Sequence, residues 1–225
     1  MKSTNKTALI VGATGLTGGY LLNLLLESPN YNKVISLVRK PTGKTDHKLE
    51  ERVIDFEKLD TEIKDLRADD VFICLGTTIK KAKTQENFKK VDLEYPITIA
   101  KTLRENGAKK LAVVSALGAN SNSKIFYNRT KGQLEDALVA IGYDNLFIMQ
   151  PSLLMGNRNE FRFGEKVGQK VMCIVDPLMI GPAKKYRSIN AFDVAFAMLE
   201  LCNDELSGIH KIESEQIKEI ARISK

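Results

Sequence analysis

Ser115, Tyr127 and Lys131 are the residues whose types and spacing allow chemistry in this sequence. The stretch Val113 to Lys131 reads V-V-S-A-L-G-A-N-S-N-S-K-I-F-Y-N-R-T-K. A serine stands just past an apolar strand, and a tyrosine and a lysine follow four apart. Ser-Asn-Ser before Lys124 offers N-caps for a helix running to about Ile141, and i, i+4 spacing puts Tyr127 and Lys131 on one face of it. A free phenol has a pKa of about 10 and is an idle acid at neutral pH. An ammonium within roughly 4–6 Å favours phenolate and draws that value toward the working range. Tyr127 then passes a proton to or from a substrate oxygen, and Ser115 hydrogen-bonds the same oxygen, an arrangement suited to hydride transfer at a carbonyl. Tyr and Lys four apart also occur on many surface helices. Company gives this pair its meaning: the upstream serine at a strand end, and a glycine loop that opens the chain.

That loop must hold the other reactant. Thr7 to Val11, T-A-L-I-V, is a continuous apolar run of the kind a parallel strand buried on both faces requires. It leads into G-A-T-G-L-T-G, Gly12 to Gly18, and then an apolar helix through Leu26. Strand, glycine turn and helix form a dinucleotide-binding arrangement, in which Gly12, Gly15 and Gly18, with Thr14, Leu16 and Thr17, bring backbone amides and a helix N-terminus to a pyrophosphate. The spacing is G-x-x-G-x-x-G rather than the commoner G-x-G-x-x-G. The second strand, Lys33 to Val38, ends in Arg39-Lys40. An acid there would accept from the ribose 2′-hydroxyl and repel a phosphate, whereas Arg39 can hold a 2′-phosphate bidentately with Lys40 beside it, so NADP is expected over NAD. The alternative is a solvated basic strand end.

Further strands deliver more residues to the same edge. After a polar loop at Pro41 to Glu50 comes R-V-I-D-F, whose Asp55 either meets the adenine amino group, with Phe56 packed nearby, or caps the helix of Glu57 to Leu66. Asp70 to Leu75 is a buried strand, and Leu75, Gly76 and Thr77 would let the chain skirt the cofactor riboses. A helical pattern covers about Thr84 to Asn106, with Pro96 kinking it or starting a new segment. Leu111 to Val114 carries Ser115. Asn145 to Met149 leads into P-S-L-L-M-G, where Pro151, Leu153 and Leu154 would cover the nicotinamide. Six strands alternating with helices imply an α/β fold, a doubly wound parallel sheet with ligands outside the carboxyl ends of its strands. Residues 1–225 read as a single Rossmann domain in which 151–225 form a small C-terminal substrate-side cap. In that cap a basic segment around Arg158 and Arg162 either binds an acidic substrate or is solvated. A helix to about Cys173, a helix from Asn190 to about Asn203, a strand at Ile209 to Ile212 and a last helix capped by Ser214 follow.

Totals exclude several classes. The 225 residues are 43% hydrophobic and carry 34 Lys plus Arg against 28 Asp plus Glu, a formal charge of +6 that is scattered rather than massed, so no nucleic-acid partner is expected. Cys74, Cys173 and Cys202 are widely spaced without metal or C-x-x-C spacing, which suits buried thiols of a reducing cytoplasm. The N-terminus has no signal h-region and no apolar run reaches membrane-spanning length. No metal site is expected, and neither His47 nor His210 takes a role.

Together these residues resemble the short-chain dehydrogenase/reductase superfamily: G-A-T-G-L-T-G at the nucleotide loop, Ser115 at the fifth strand, and Y-N-R-T-K matching Y-x-x-x-K. The glycine spacing resembles the atypical and extended branches, including NAD-dependent epimerase/dehydratases and NmrA-like proteins. S-A-L-G-A-N-S-N-S-K-I-F-Y-N-R-T-K, C-L-G-T-T and P-S-L-L-M-G-N-R look like the Tat-interacting-protein-like oxidoreductase subgroup. The resemblance implies Tyr127 as acid/base, Lys131 holding the nicotinamide ribose while lowering the tyrosine pKa, and Ser115 orienting the carbonyl. Many members also use an Asn on the fourth helix to hold a proton-relay water, and neither Asn87 nor Asp92 matches it securely. The expected function is an NADP(H)-dependent oxidoreductase acting on a small carbonyl or alcohol, as a monomer or homodimer. The alternatives are an NADPH-binding regulatory protein read by a protein partner and, with little room for the substrate, a sugar-nucleotide epimerase or dehydratase.

Overall fold

A computed structural model describes residues 5–156 and 181–223. Strands β1 (Lys6–Val11), β2 (Tyr31–Val38), β3 (Leu49–Val53), β4 (Asp70–Ile73), β5 (Lys110–Val114), β6 (Asn145–Gln150) and β9 (Gly208–Glu213) form one sheet in the order β3-β2-β1-β4-β5-β6-β9. Every pairing is parallel. The sheet is therefore doubly wound, as expected, with the last strand extending it to seven. A second, two-stranded ladder joins β7 (Leu154–Met155) to β8 (Ile189–Asn190).

Helices cover both faces. On one side lie α1 (Leu16–Glu27), α7 (Ala191–Asn203) and α8 (Ser214–Ile223), and on the other α5 (Tyr95–Glu105) and α6 (Phe126–Ile141). Successive strand residues point to opposite faces. In β1, Ala8 and Ile10 accordingly join the core beneath α1 and α7, while Leu9 and Val11 join the core beneath α5 and α6. Burial on both faces is what the unbroken T-A-L-I-V run required. The strand that follows the polar loop lies at Leu49–Val53, earlier than R-V-I-D-F suggests, and pairs with β2 at Val34↔Leu49. The helix expected over Glu57 to Leu66 is shorter, a 3-10 turn at Phe56–Lys58 followed by α2 (Leu59–Glu62).

The helical stretch expected between Thr84 and Asn106 is present but composite. After α3 (Ile79–Ala82) come α4 (Gln85–Lys89), a π turn at Lys90–Glu94 and then α5, with Pro96 in its first turn. Proline has no N–H to give the carbonyl four residues back, so one bond of the α-helical ladder is missing at that point. Tyr95 N instead donates to Lys90 O, one residue further back than in an α-helix. Such π turns often mark functional sites because they turn one side chain out of the helical sequence. The residue placed there is Asp92, which is buried. Arg158, Arg162, Cys173 and the helix expected to end near Cys173 lie outside the described residues.

Candidate active site

Parallel pairing carries the carboxyl ends of the strands to one rim. The register Val11↔Ile73 and Ile73↔Val113 puts Gly12, Cys74 and Val114 just past it, side by side. Gly12 turns the chain there with φ +86, and a Cβ on it would lie 2.5 Å from Cys74 O. A Cβ on Gly18 would lie 2.1 Å from Gly12 O, so α1 can pack this close to the turn only through glycine. Gly15 is the N-cap of α1 and supplies no side-chain hydrogen bond to it. The first-turn amides are thus uncapped by any side chain at the positive end of a twelve-residue helix. This cradle fits an anionic pyrophosphate. Thr14 and Gly15 are its exposed lip, whereas Thr17 and Gly18 are buried and contribute packing.

Other cofactor-side residues are distributed as follows. Arg39 and Lys40 are exposed where β2 ends, one strand along the same rim from the glycine turn. Asp55 takes the capping alternative: its Oδ1 accepts from Glu57 N at 3.0 Å and its Oδ2 lies 3.8 Å from Lys58 Nζ. Phe56 packs on Tyr95 with ring centroids 5.5 Å apart. Leu75 packs on the α5 and α6 core, and Thr77 N donates to Asp92 Oδ2 at 2.8 Å. In the 151–156 segment Pro151 O accepts from Leu117 N at 3.0 Å, Leu153 is exposed, and Leu154 packs on the α1 core. A Cβ on Gly156 would come within 2.9 Å of Leu16 Cδ1, so the segment closes over the glycine loop.

Tyr127 and Lys131 stand one turn apart on α6, as the spacing requires. The helix begins at Phe126 rather than Lys124, and Ser123 Oγ accepts from Ile125 N at 3.1 Å in the turn before it. Phe88 of α4 meets the Tyr127 ring edge-on at 5.9 Å, and the tyrosine retains 39% exposure at the rim. Below it Lys131 is almost fully enclosed, with Nζ 2.8 Å from Asp92 Oδ1. Burial opposes the ammonium, but Asp92, aided by Tyr127 and Glu135, outweighs it and holds the Lys131 pKa above its ordinary value. The phenol does not behave as Lys131 alone suggests. Burial raises its pKa, Lys131 lowers it and Asp92 raises it again, leaving it above the ordinary tyrosine value. Tyr127 is therefore a protonated acid at neutral pH.

Ser115 stands just past β5 and faces α6. The residue is 4% exposed and its hydroxyl donates to Glu135 Oε1 at 2.6 Å. Glu135, a further turn along α6 from Lys131, also receives Gln150 Nε2 at 2.9 and 3.0 Å and faces Lys211 Nζ at 2.8 Å. The serine hydrogen expected to orient a substrate oxygen is thus committed to a buried carboxylate that ties α6 to β5, β6 and β9. Glu135, Gln150 and Lys211 are neighbours of the Tyr-Lys pair that the motif reading passed over, and Asp92, which it weighed without a secure match, is placed against Lys131.

The comparisons with known proteins accord with this geometry. Residues 12–168 match the model of a family described as NAD(P)H-binding. The chain belongs to that family. Among curated members it is 33% identical over 171 residues to protein FMP52, mitochondrial, of Candida albicans, covering 73% of this chain and 75% of that one. It is 33% identical over 173 residues to protein HTATIP2 of Rattus norvegicus, covering 75% and 71%. In fold it resembles the ADP-L-glycero-D-manno-heptose-6-epimerase of Helicobacter pylori, with a TM-score of 0.69 at 17% identity over 99% of this chain and 83% of that one. The oxidoreductase ylbE of Lactococcus lactis gives 0.65 at 20% identity over 96% and 95%. Several relatives in the NAD(P)H-binding family are named mitochondrial, which overturns the cytoplasmic placement inferred from cysteine usage and the N-terminus.

Proposed function

We propose that this NAD(P)H-binding protein is an NADP(H)-dependent oxidoreductase of the short-chain dehydrogenase type that reduces a small carbonyl compound, with Tyr127 as the proton donor. One observation carries the reading: a partly exposed phenol stands one helical turn from a buried ammonium, which Asp92 ties to Thr77 past the end of β4, the strand next to the one that ends in the glycine cradle. A reduced nicotinamide, when bound, supplies the hydride. The protein's part is to place the carbonyl oxygen against Tyr127 and to give up the phenolic proton as the oxygen becomes a hydroxyl. Lys131 would hold the nicotinamide ribose and stabilise the phenolate left behind. Arg39, with Lys40, supports a preference for the 2′-phosphate of NADP, because a guanidinium matches phosphate bidentately and no acid stands at that strand end.

Loss of NADPH absorbance across a panel of aldehydes and ketones tests the proposal. Tyr127→Phe should cut turnover by about two to four orders of magnitude, the usual contribution of a positioned proton donor, with NADPH affinity preserved. An unchanged rate in that variant removes Tyr127 from the mechanism. Absence of turnover across the panel, together with cofactor-dependent capture of a protein partner, would favour a sensor.

A further inference from the structure

Asp92 occupies a position that the phosphate cradle and the Tyr-Lys pair do not explain. It is 1% exposed, lies in the π turn before Pro96, and directs both carboxylate oxygens to groups of the site. Oδ1 meets the Lys131 ammonium at 2.8 Å and Oδ2 receives the backbone N–H of Thr77 at 2.8 Å. A buried ammonium without a partner is costly, and breaking a buried pair from one side costs far more than replacing both members. A neutral amide at this position could still accept from Thr77 but could not balance the charge. Such a balance is needed here because Lys131 is only 4% exposed on its side chain.

We propose that Asp92 is a positioning residue, the fixed counter-ion that keeps Lys131 charged and aimed at the place of the nicotinamide ribose before the cofactor arrives. The inference rests on the cofactor reading above for what Lys131 is aimed at, but the pairing itself does not. Tyr127 from the same helix, Asp92 from the π turn and Glu135 from the next turn of α6 are the titratable groups facing Lys131, with Lys211 of β9 behind Glu135. Glu135 is already shared among Ser115, Gln150 and Lys211, which leaves Asp92 as the carboxylate in direct contact with the ammonium. The same pairing lets the cofactor bind without the site first having to take up a proton.

The test is thermal unfolding of the full chain as wild type, Asp92→Asn and Asp92→Asn/Lys131→Met, from pH 6 to 9.5. With its counter-ion gone, Lys131 binds its proton less tightly folded than unfolded, so folded stability rises with pH until the unfolded chain also loses that proton. Asp92→Asn should therefore melt roughly 10 °C below wild type near pH 6 and close part of that gap by pH 9.5. The double variant should recover most of the loss and track wild type at every pH. A constant offset between Asp92→Asn and wild type, or a double variant no better than the single one, would overturn the proposal. If Asp92→Asn does not fold, the double variant decides: folding supports the counter-ion role, and failure to fold ends it. Calorimetry of NADPH binding in buffers of different ionisation heat adds the cofactor link. Proton uptake by Asp92→Asn but not by wild type is expected, and equal linkage in both refutes that part. None of these readouts uses turnover, so an inactive or non-catalytic Tyr127 leaves them unaffected.

Discussion

Removing the Ser115 hydroxyl should weaken the fold more than the chemistry. The residue is 4% exposed and its hydroxyl donates at 2.6 Å to the carboxylate of Glu135, itself 1% exposed. Hydrogen bonds to charged groups contribute about 1.5–3 kcal/mol. In Ser115→Ala the carboxylate keeps both Gln150 contacts and Lys211, so it remains charged and partnered, and the loss stays near that one bond. At about 2–4 °C per kcal/mol for a chain of this size, the melting temperature should fall by roughly 3–12 °C. Glu135→Ala strands the buried Gln150 amide as well as the serine, while Lys211, with 47% side-chain exposure, can turn to solvent. It should therefore cost about 3–5 kcal/mol. Because the residues touch, the double variant should cost less than the sum, by about 1–2 kcal/mol of coupling. Thermal unfolding of the four proteins measures this cycle, and turnover at a temperature where all are folded provides the second readout. Ser115→Ala should retain turnover within about tenfold, since one donor acting directly on the reacting oxygen typically contributes 10²–10³. A variant as stable as wild type that has lost a hundredfold or more in turnover would restore Ser115 to the substrate and refute the structural role.

Two further outcomes follow from the same helix. A general acid works only while it is protonated, and Tyr127 has its pKa raised by burial and by Asp92 against the pull of Lys131. The rate of carbonyl reduction should hold steady through neutral and mildly alkaline pH and decline only beyond the ordinary tyrosine range, whereas a decline centred near pH 7 would show that the lysine prevails. Gly132→Ala ought to gain about 1 kcal/mol of helix propensity, but a Cβ there would lie 2.1 Å from Ser121 N and 2.2 Å from Asn120 C. Those are backbone atoms that cannot swing aside, so overpacking at about 1–3 kcal/mol or more should win. The variant should melt lower and turn over more slowly as the 116–124 loop and α6 part, and a stabilised variant would refute the contact.

Much of this architecture was legible because it depends on local pattern. Apolar runs mark strands buried on both faces, and G-A-T-G-L-T-G marks a turn that only glycine can make so near Cys74 and the start of α1. What resisted reading was whatever depends on one residue's displacement. Pro96 announces a disturbance in the helix, but whether the chain kinks, restarts or inserts a π turn depends on packing, and only the last directs Asp92 at Lys131. With Asp92 unplaced, the sequence shows the lysine that lowers the phenol pKa and hides the carboxylate that raises it.

The contact of Ser115 with Glu135 went unread for a different reason, and parity would have shown it. Leu111 and Val113 belong to the core beneath α5 and α6, while Val114 packs on the opposite face. Alternation then carries Ser115 to the α6 side. Counted the same way, Leu146 and Ile148 put Gln150 on that side, and Ile212 on the far core leaves its neighbour Lys211 facing α6. On α6 itself, Tyr127, Lys131 and Glu135 recur at intervals of four, a single stripe along the helix. Three strands thus direct a hydroxyl, an amide and an ammonium to one carboxylate two turns below the phenol. The helix that bears Tyr127 and Lys131 is consequently fastened to the sheet by charge and hydrogen bonds at one point of the stripe, and presents its phenol at another. Rigidity at Glu135 and exposure at Tyr127 are two ends of the same helical face.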